Sequence, residues 1–182
     1  MMRADAQRNR ARIVEHAAAI LRTSGTDASM EQIALNAGVG VGTLYRHFPD
    51  KAALVDAIAA LRVHDVADRA IRSAGEPSPG RPRVQALLET YMRSAAGDGA
   101  LRAALRGNGS SLGGGVAAAI EASEAPITTL IAADRADGLL QDAFSFADFR
   151  AVCAAVVAVM DPPAPSGAWE RVLTWACRGI AS

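Results

Sequence analysis

Between Gly40 and Lys51 the chain sets hydrogen-bonding side chains beside very small ones: Thr43, Tyr45, Arg46, His47 and Lys51 alternate with Gly40 and Gly42. Hydroxyl, guanidinium, imidazole and ammonium groups at this spacing suit contact with base edges and phosphate oxygens. On a 3.6-residue period Leu44 and Phe48 share one face, with Val41 and Tyr45 at its borders. Gly42, Thr43, Arg46 and His47 then point the other way. Gly42 leaves room for close approach, Thr43 offers a methyl and a hydroxyl, and Arg46 reaches a guanine edge or a phosphate. Tyr45 and His47 suit phosphate oxygens, which fix register rather than sequence. Lys51 is the single lysine among 19 basic residues. It falls in the first turn of a helix that Asp50 can cap, where free N–H groups already favour a phosphate.

The elements that must hold these groups are legible in residues 29–51. Ser29 caps a short helix, with Gln32 three positions on to complete the reciprocal pair. Ile33, Ala34 and Ala37 form its apolar face, and Gly38 supplies the positive φ of a sharp exit. A second helix runs from about Val41 to Phe48 and stops before Pro49. This is the geometry of a helix-turn-helix, whose second helix enters the major groove. The candidate DNA-contact set is Ser29, Gly40, Val41, Gly42, Thr43, Tyr45, Arg46, His47 and Lys51.

Ala37-Gly38-Val39, followed by Gly42-Thr43-Leu44-Tyr45-Arg46-His47-Phe48-Pro49-Asp50-Lys51, resembles the DNA-binding signature of the tetracycline-repressor (TetR) family of transcriptional regulators. The resemblance runs from about residue 8 to 62. Two positions depart from it: Gly40, where the family usually caps with Ser or Thr, and Val41, where many relatives are polar or basic. The resemblance implies a ligand-responsive regulator, a repressor released from its operator by a small-molecule effector. It also implies a pocket among the middle helices and a homodimer built by the C-terminal helix pair over residues 146–181. Candidate ligand contacts are Tyr91, Met92, Leu105, Ile127 and Leu130; Arg102 or Arg106 would balance an acidic ligand or lie on the surface. Candidate dimer contacts are Phe149, Val152, Val156, Trp169, Val172 and Leu173. The competing reading keeps the fold as a small-molecule-binding or protein-interaction helical dimer without specific DNA binding, on the strength of Gly40, Val41 and a neutral chain.

Composition supports an all-α protein: 51% hydrophobic residues with only 4% aromatic, in 182 residues rich in alanine. We expect a three-helix head (residues 1–52) and a helical ligand-binding and dimerisation body (53–182). Formal net charge is zero, so there is no global basic field. Residues 1–12 nevertheless carry Arg3, Arg8, Arg10 and Arg12 against Asp5 alone, an arm suited to phosphates. Cys153 and Cys177 sit in apolar runs and read as reduced core residues. No leader and no uncharged run of about 20 apolar residues is evident, which points to the cytoplasm with no membrane partner.

Outside the helix-turn-helix, helices are expected from Asn9 to Ser24, Lys51 to Ser73, Pro82 to Ala96, Ala100 to Arg106 and Val116 to Asp137, with a new segment or a kink at Pro126. Two more follow, from Phe146 to Met160, capped by Ser145 with Asp148, and from Trp169 to Ile180. Gly113–Gly115 reads as a mobile gate or an irregular loop. Catalysis is not expected. Gly109-Ser110-Ser111-Leu112-Gly113 fits a nucleophile elbow by letters, but it lacks a preceding strand, and every histidine lies upstream. The Gly38/Gly40/Gly42 series lacks the strand and spacing of a dinucleotide fingerprint, and the three histidines are too scattered for a metal site. No cofactor is expected.

Overall fold

A computed structural model describes residues 2–24, 28–74, 79–107, 113–161 and 164–181. Among them the elements are α1 (Met2–Ser24), α2 (Met30–Asn36), α3 (Val41–His47), α4 (Lys51–Ala74), α5 (Arg83–Ala96), α6 (Gly99–Arg106), α7 (Gly114–Ala136), α8 (Phe146–Ala158) and α9 (Ala168–Ile180). The β geometry among these residues is an isolated antiparallel bridge, Leu140 with Ala181.

Two hydrophobic cores organise the helices. The first joins Ile13 and Ala17 of α1, Ile33 and Ala34 of α2, Leu44, Phe48, and Leu54, Ala57 and Ile58 of α4. The second begins on the same helix at Ala59 and gathers Val63, Leu87, Leu88, Met92, Ile131 and Val156 around it. α4 thus belongs to both, and the head core draws on residues as far as Ile58. Each fully buried Val, Leu, Ile, Phe or Met side chain among them contributes about 1.5–3 kcal/mol before entropy is subtracted.

Several boundaries differ from the sequence reading. α1 starts at Met2 rather than Asn9; its first turns carry no apolar stripe, but Ala, Gln and Arg are good helix formers without one. α7 runs unbroken through Pro126. That proline lies on the exposed face, where the carbonyl left without a partner can turn to water. Gly114 and Gly115 form the first turn of α7, not an irregular loop. Residues 109–112, with the serine string, lie outside the described residues. α7 is, among these, the helix long and apolar enough by composition to cross a membrane; here it packs against α4 and α5.

The predicted cap Ser145–Asp148 is present, with Ser145 Oγ accepting from Asp148 N and the Asp148 carboxylate from Ser145 N. Hydrogen bonds from Ser145 hold that carboxyl below its ordinary range. α5 and α7 start differently, on Pro82 and Gly113, neither of which supplies a side-chain cap. At α5 the missing acceptor comes from across the fold. Asp134 of α7, with no exposed surface, accepts from Val84 N at 2.8 Å and from Arg83 Nη1 at 3.0 Å. Arg83 also reaches Asp137, at 2.7 Å.

Truncating Asp134 strands the buried Val84 N–H and removes one of two acceptors from Arg83. We therefore expect Asp134→Ala to lower unfolding free energy by about 2–4 kcal/mol in urea titration. A change within 0.5 kcal/mol would show that water replaces the carboxylate without loss.

Candidate nucleic-acid interface

The turn between α2 and α3 is built as its local sequence requires. Ser29 Oγ accepts from Gln32 N at 3.2 Å, and Gln32 Oε1 accepts from Ser29 N at 3.1 Å. Ser29 is itself exposed. Gly38 takes φ +63°, and Val39 N returns to Ala34 O at 3.0 Å. Gly40 is the N-cap of α3 and gives no side-chain hydrogen bond; its carbonyl receives Thr43 N and Leu44 N.

α3 is fixed from behind and open in front. Leu44 and Phe48 are 0% and 1% exposed. Val41, Gly42, Tyr45 and Arg46 are exposed, and Thr43 and His47 half-buried. Arg46 and His47 stand in the last turn, where the Arg46 charge complements the helix dipole. A Cβ placed on Gly42 would meet nothing within 4 Å, so packing inside the protein does not require glycine there. After Phe48 the chain enters α4 through Asp50, whose Oδ1 accepts from Ala53 N at 2.7 Å. Lys51 begins that helix, half-buried. All nine candidate contact residues thus lie on the α2 N-terminus, on α3 with its N-cap, or at the start of α4.

The structure adds two features that no periodicity marks. The Arg10 guanidinium lies over the Phe48 ring, 4.9 Å from its centroid, which ties one arginine of the N-terminal arm to the end of α3. Leu35, at the end of α2, is 80% exposed.

In the body the ligand and dimer candidates scatter. Tyr91 and Leu105 line a cavity of about 30 Å³ together with Ser123, Phe149, Arg150 and Cys153. Met92 and Ile127 are fully buried in the core, and Leu130 packs half-buried against it. A cavity that size holds a water molecule, whereas ligand pockets run to about 300–1,000 Å³. Burial pushes the Tyr91 hydroxyl up. Arg102 and Arg106 both meet Asp161, at 3.1 and 2.5 Å. The hydrogen bond from Arg106, followed by the charge of Arg102, holds the Asp161 carboxyl below its ordinary range. These two arginines are therefore engaged internally. Of the dimer candidates, Phe149, Val156 and Leu173 lie in the protomer's own core, while Val152, Trp169 and Val172 are half-buried. Trp175, which the apolar stripe passes over, is 62% exposed. Cys153 and Cys177 are buried, and burial pushes their thiols up to about 12 and about 11, so neither is a ready nucleophile.

A helix-turn-helix carried on an all-helical body defines a class of DNA-binding regulators. Residues 13–58 match the family of bacterial regulatory proteins described as the tetR family. Over 54 residues the chain is 50% identical to an HTH-type transcriptional regulator of Staphylococcus aureus; the match spans 29% of this chain and 29% of that relative's length. Over 100% of both chains, this one is 33% identical to the TetR transcription regulatory protein from Mycobacterium vanbaalenii, with a TM-score of 0.61. It also shares its fold with Thermus thermophilus FadR, a TetR family transcriptional repressor solved in complex with lauroyl-CoA. There identity is 19%, coverage 93% of this chain and 91% of that one, and the TM-score 0.67. The chain belongs to the TetR family.

Because nothing inside the protein occupies the space beside Gly42, Gly42→Ala should stabilise the fold by about 0.5–1 kcal/mol through helix propensity while weakening DNA binding. Thermal unfolding and a binding titration on one preparation check both halves. Stabilisation without weaker binding would remove Gly42 from the interface.

Proposed function

We propose that this chain is a homodimeric, operator-binding transcriptional repressor that a small-molecule effector releases from DNA. The observation carrying this reading is the two-sided build of α3: Leu44 and Phe48 are locked in the head core, while Gly42 and Arg46 are exposed and Thr43 is half-buried. Gly42 and Thr43 admit base edges, and Arg46 reads a guanine or anchors a phosphate. Ser29, Gly40, Val41, Tyr45, His47 and Lys51 hold the backbone and set register. Residues 1–52 form the DNA-reading part, completed by the first turns of α4, and 53–182 form the body.

A second head is required to read half-sites about 34–36 Å apart. The half-buried Val152, Trp169 and Val172, with exposed Trp175, offer apolar surface on α8 and α9 for a second subunit. The effector reading draws on family membership and on the lauroyl-CoA complex of a protein of the same fold. At about 30 Å³ the cavity beside Tyr91 would have to open to admit an effector, so ligand and the closed packing compete. No reaction is proposed, and a DNA-binding role supports a cytoplasmic location.

Two substitutions separate the assigned roles. Lys51→Ala should weaken binding on all sequences alike and reduce the salt slope by about one phosphate contact; an unaltered slope counts against a phosphate role. Thr43→Ala should change preference at a few base pairs by about 1–3 kcal/mol. Equal loss on every sequence would make Thr43 a backbone contact.

A further inference from the structure

We infer that Asp56 is the positioning residue that fixes the DNA-reading head on the body, by closing the N-terminus of α7 from α4. The inference rests on the operator-binding reading for its functional consequence alone. α7 begins at Gly113, which has no side chain to cap it, so its first N–H groups need an acceptor from elsewhere. Asp56 supplies it. Its Oδ2 accepts from Gly115 N at 2.8 Å and its Oδ1 from Val116 N at 3.2 Å. The carboxylate also sets a negative charge at the positive end of a long helix.

The glycines at this junction report how closely the two helices meet. A Cβ on Gly113 would lie 2.1 Å from the Asp56 carboxylate, and one on Gly115 would lie 2.8 Å from it and 3.4 Å from Ala60 Cβ. Neither glycine has a positive φ. Their lack of a side chain is explained by the approach of α4 rather than by backbone conformation.

Asp56 stands where α4 passes from one core to the other, just before Ile58 closes the head core and Ala59 opens the body core. α3 reaches the body through the first turns of this helix. The angle between α4 and α7 at Asp56 therefore sets where α3 stands. A second polar tie, Arg62 Nε to Asp98 at 3.6 Å, lies about 9 Å further along α4, on the side away from the head.

The test uses the full chain with spin labels at Glu31→Cys in α2 and Thr128→Cys in α7, diluted with unlabelled protein so that the distance read is within one chain. The label pair should give a narrow distribution in the parent. In Asp56→Ala, Asp56→Asn and Gly115→Ala it should about double in width, as a fixed contact gives way to an ensemble, with cooperative unfolding retained. Asp56→Asn keeps the size of the side chain, so it guards against a variant that merely fails to fold. Distributions as narrow as the parent's overturn the inference.

A second measurement addresses function. DNA sites are selected from random sequence by the parent protein, then compared with the same half-sites moved one base pair apart. The variants should lose about tenfold of that discrimination while keeping their affinity for random-sequence DNA. Broadened distances with unchanged discrimination would overturn the functional part, because a merely structural cap lowers stability without touching spacing. If the parent selects no sequence at all, the operator reading fails, and the distance measurement alone decides whether Asp56 fixes the head.

Discussion

Every helix start leaves backbone N–H groups without partners, and in this protein the way those groups are satisfied orders the body. α2 and α8 close their own starts with a serine and a side chain three residues on. α5 and α7 begin on Pro82 and Gly113, which cannot. Their amides are met by carboxylates from other helices: Asp134 of α7 at the start of α5, and Asp56 of α4 at the start of α7. The result is a directed chain, α4 to α7 to α5, in which each helix is held at the place where its own sequence leaves it unfinished. Apolar packing supplies most of the driving force, but packing of alanine-rich helices tolerates sliding. A carboxylate on two amides does not.

The head works on the opposite principle at its caps and turn, where the polar closure is local. Ser29 to Gln32, Asp50 to Ala53 and the Gly38 turn each span a few residues. Longer-range order in the head comes from the burial of Leu44, Phe48 and Leu54 in one small core and from Arg10 over Phe48. Such a unit keeps its shape while its position changes. α4 is the helix that the head and body cores share.

This difference explains what the sequence discloses. The caps, the turn and the inward face of α3 follow from spacings of three and four residues, so they and the candidate DNA contacts can be read from the residues. Asp56 and Asp134 act on partners 59 and 50 positions away, and no local pattern marks either. The glycines at 113–115 look like looseness in the sequence because glycine signals freedom and close approach with the same letter. Phe149, Val156 and Leu173 illustrate another limit. An apolar stripe at helical period records burial without saying whether the protomer or a second subunit provides it, and these three lie in the protomer's own core. α1 extends to Met2 on helix propensity, a signal that hydrophobic period does not carry.

The proposed release mechanism has an energetic requirement that this architecture helps to meet. Moving a population from almost wholly DNA-competent to almost wholly released needs an effector that prefers the released conformer by about 10⁴-fold. The small cavity beside Tyr91 lies among α4, α5, α6, α7 and α8 residues, so enlarging it would displace α7 or a neighbour. α7 is polar-tied at its start to Asp56 and near its end to α5 through Asp134. In the proposed mechanism a displacement of α7 passes to α4 through Asp56 and to α5 through Asp134, and the first of these leads to the helix that follows α3.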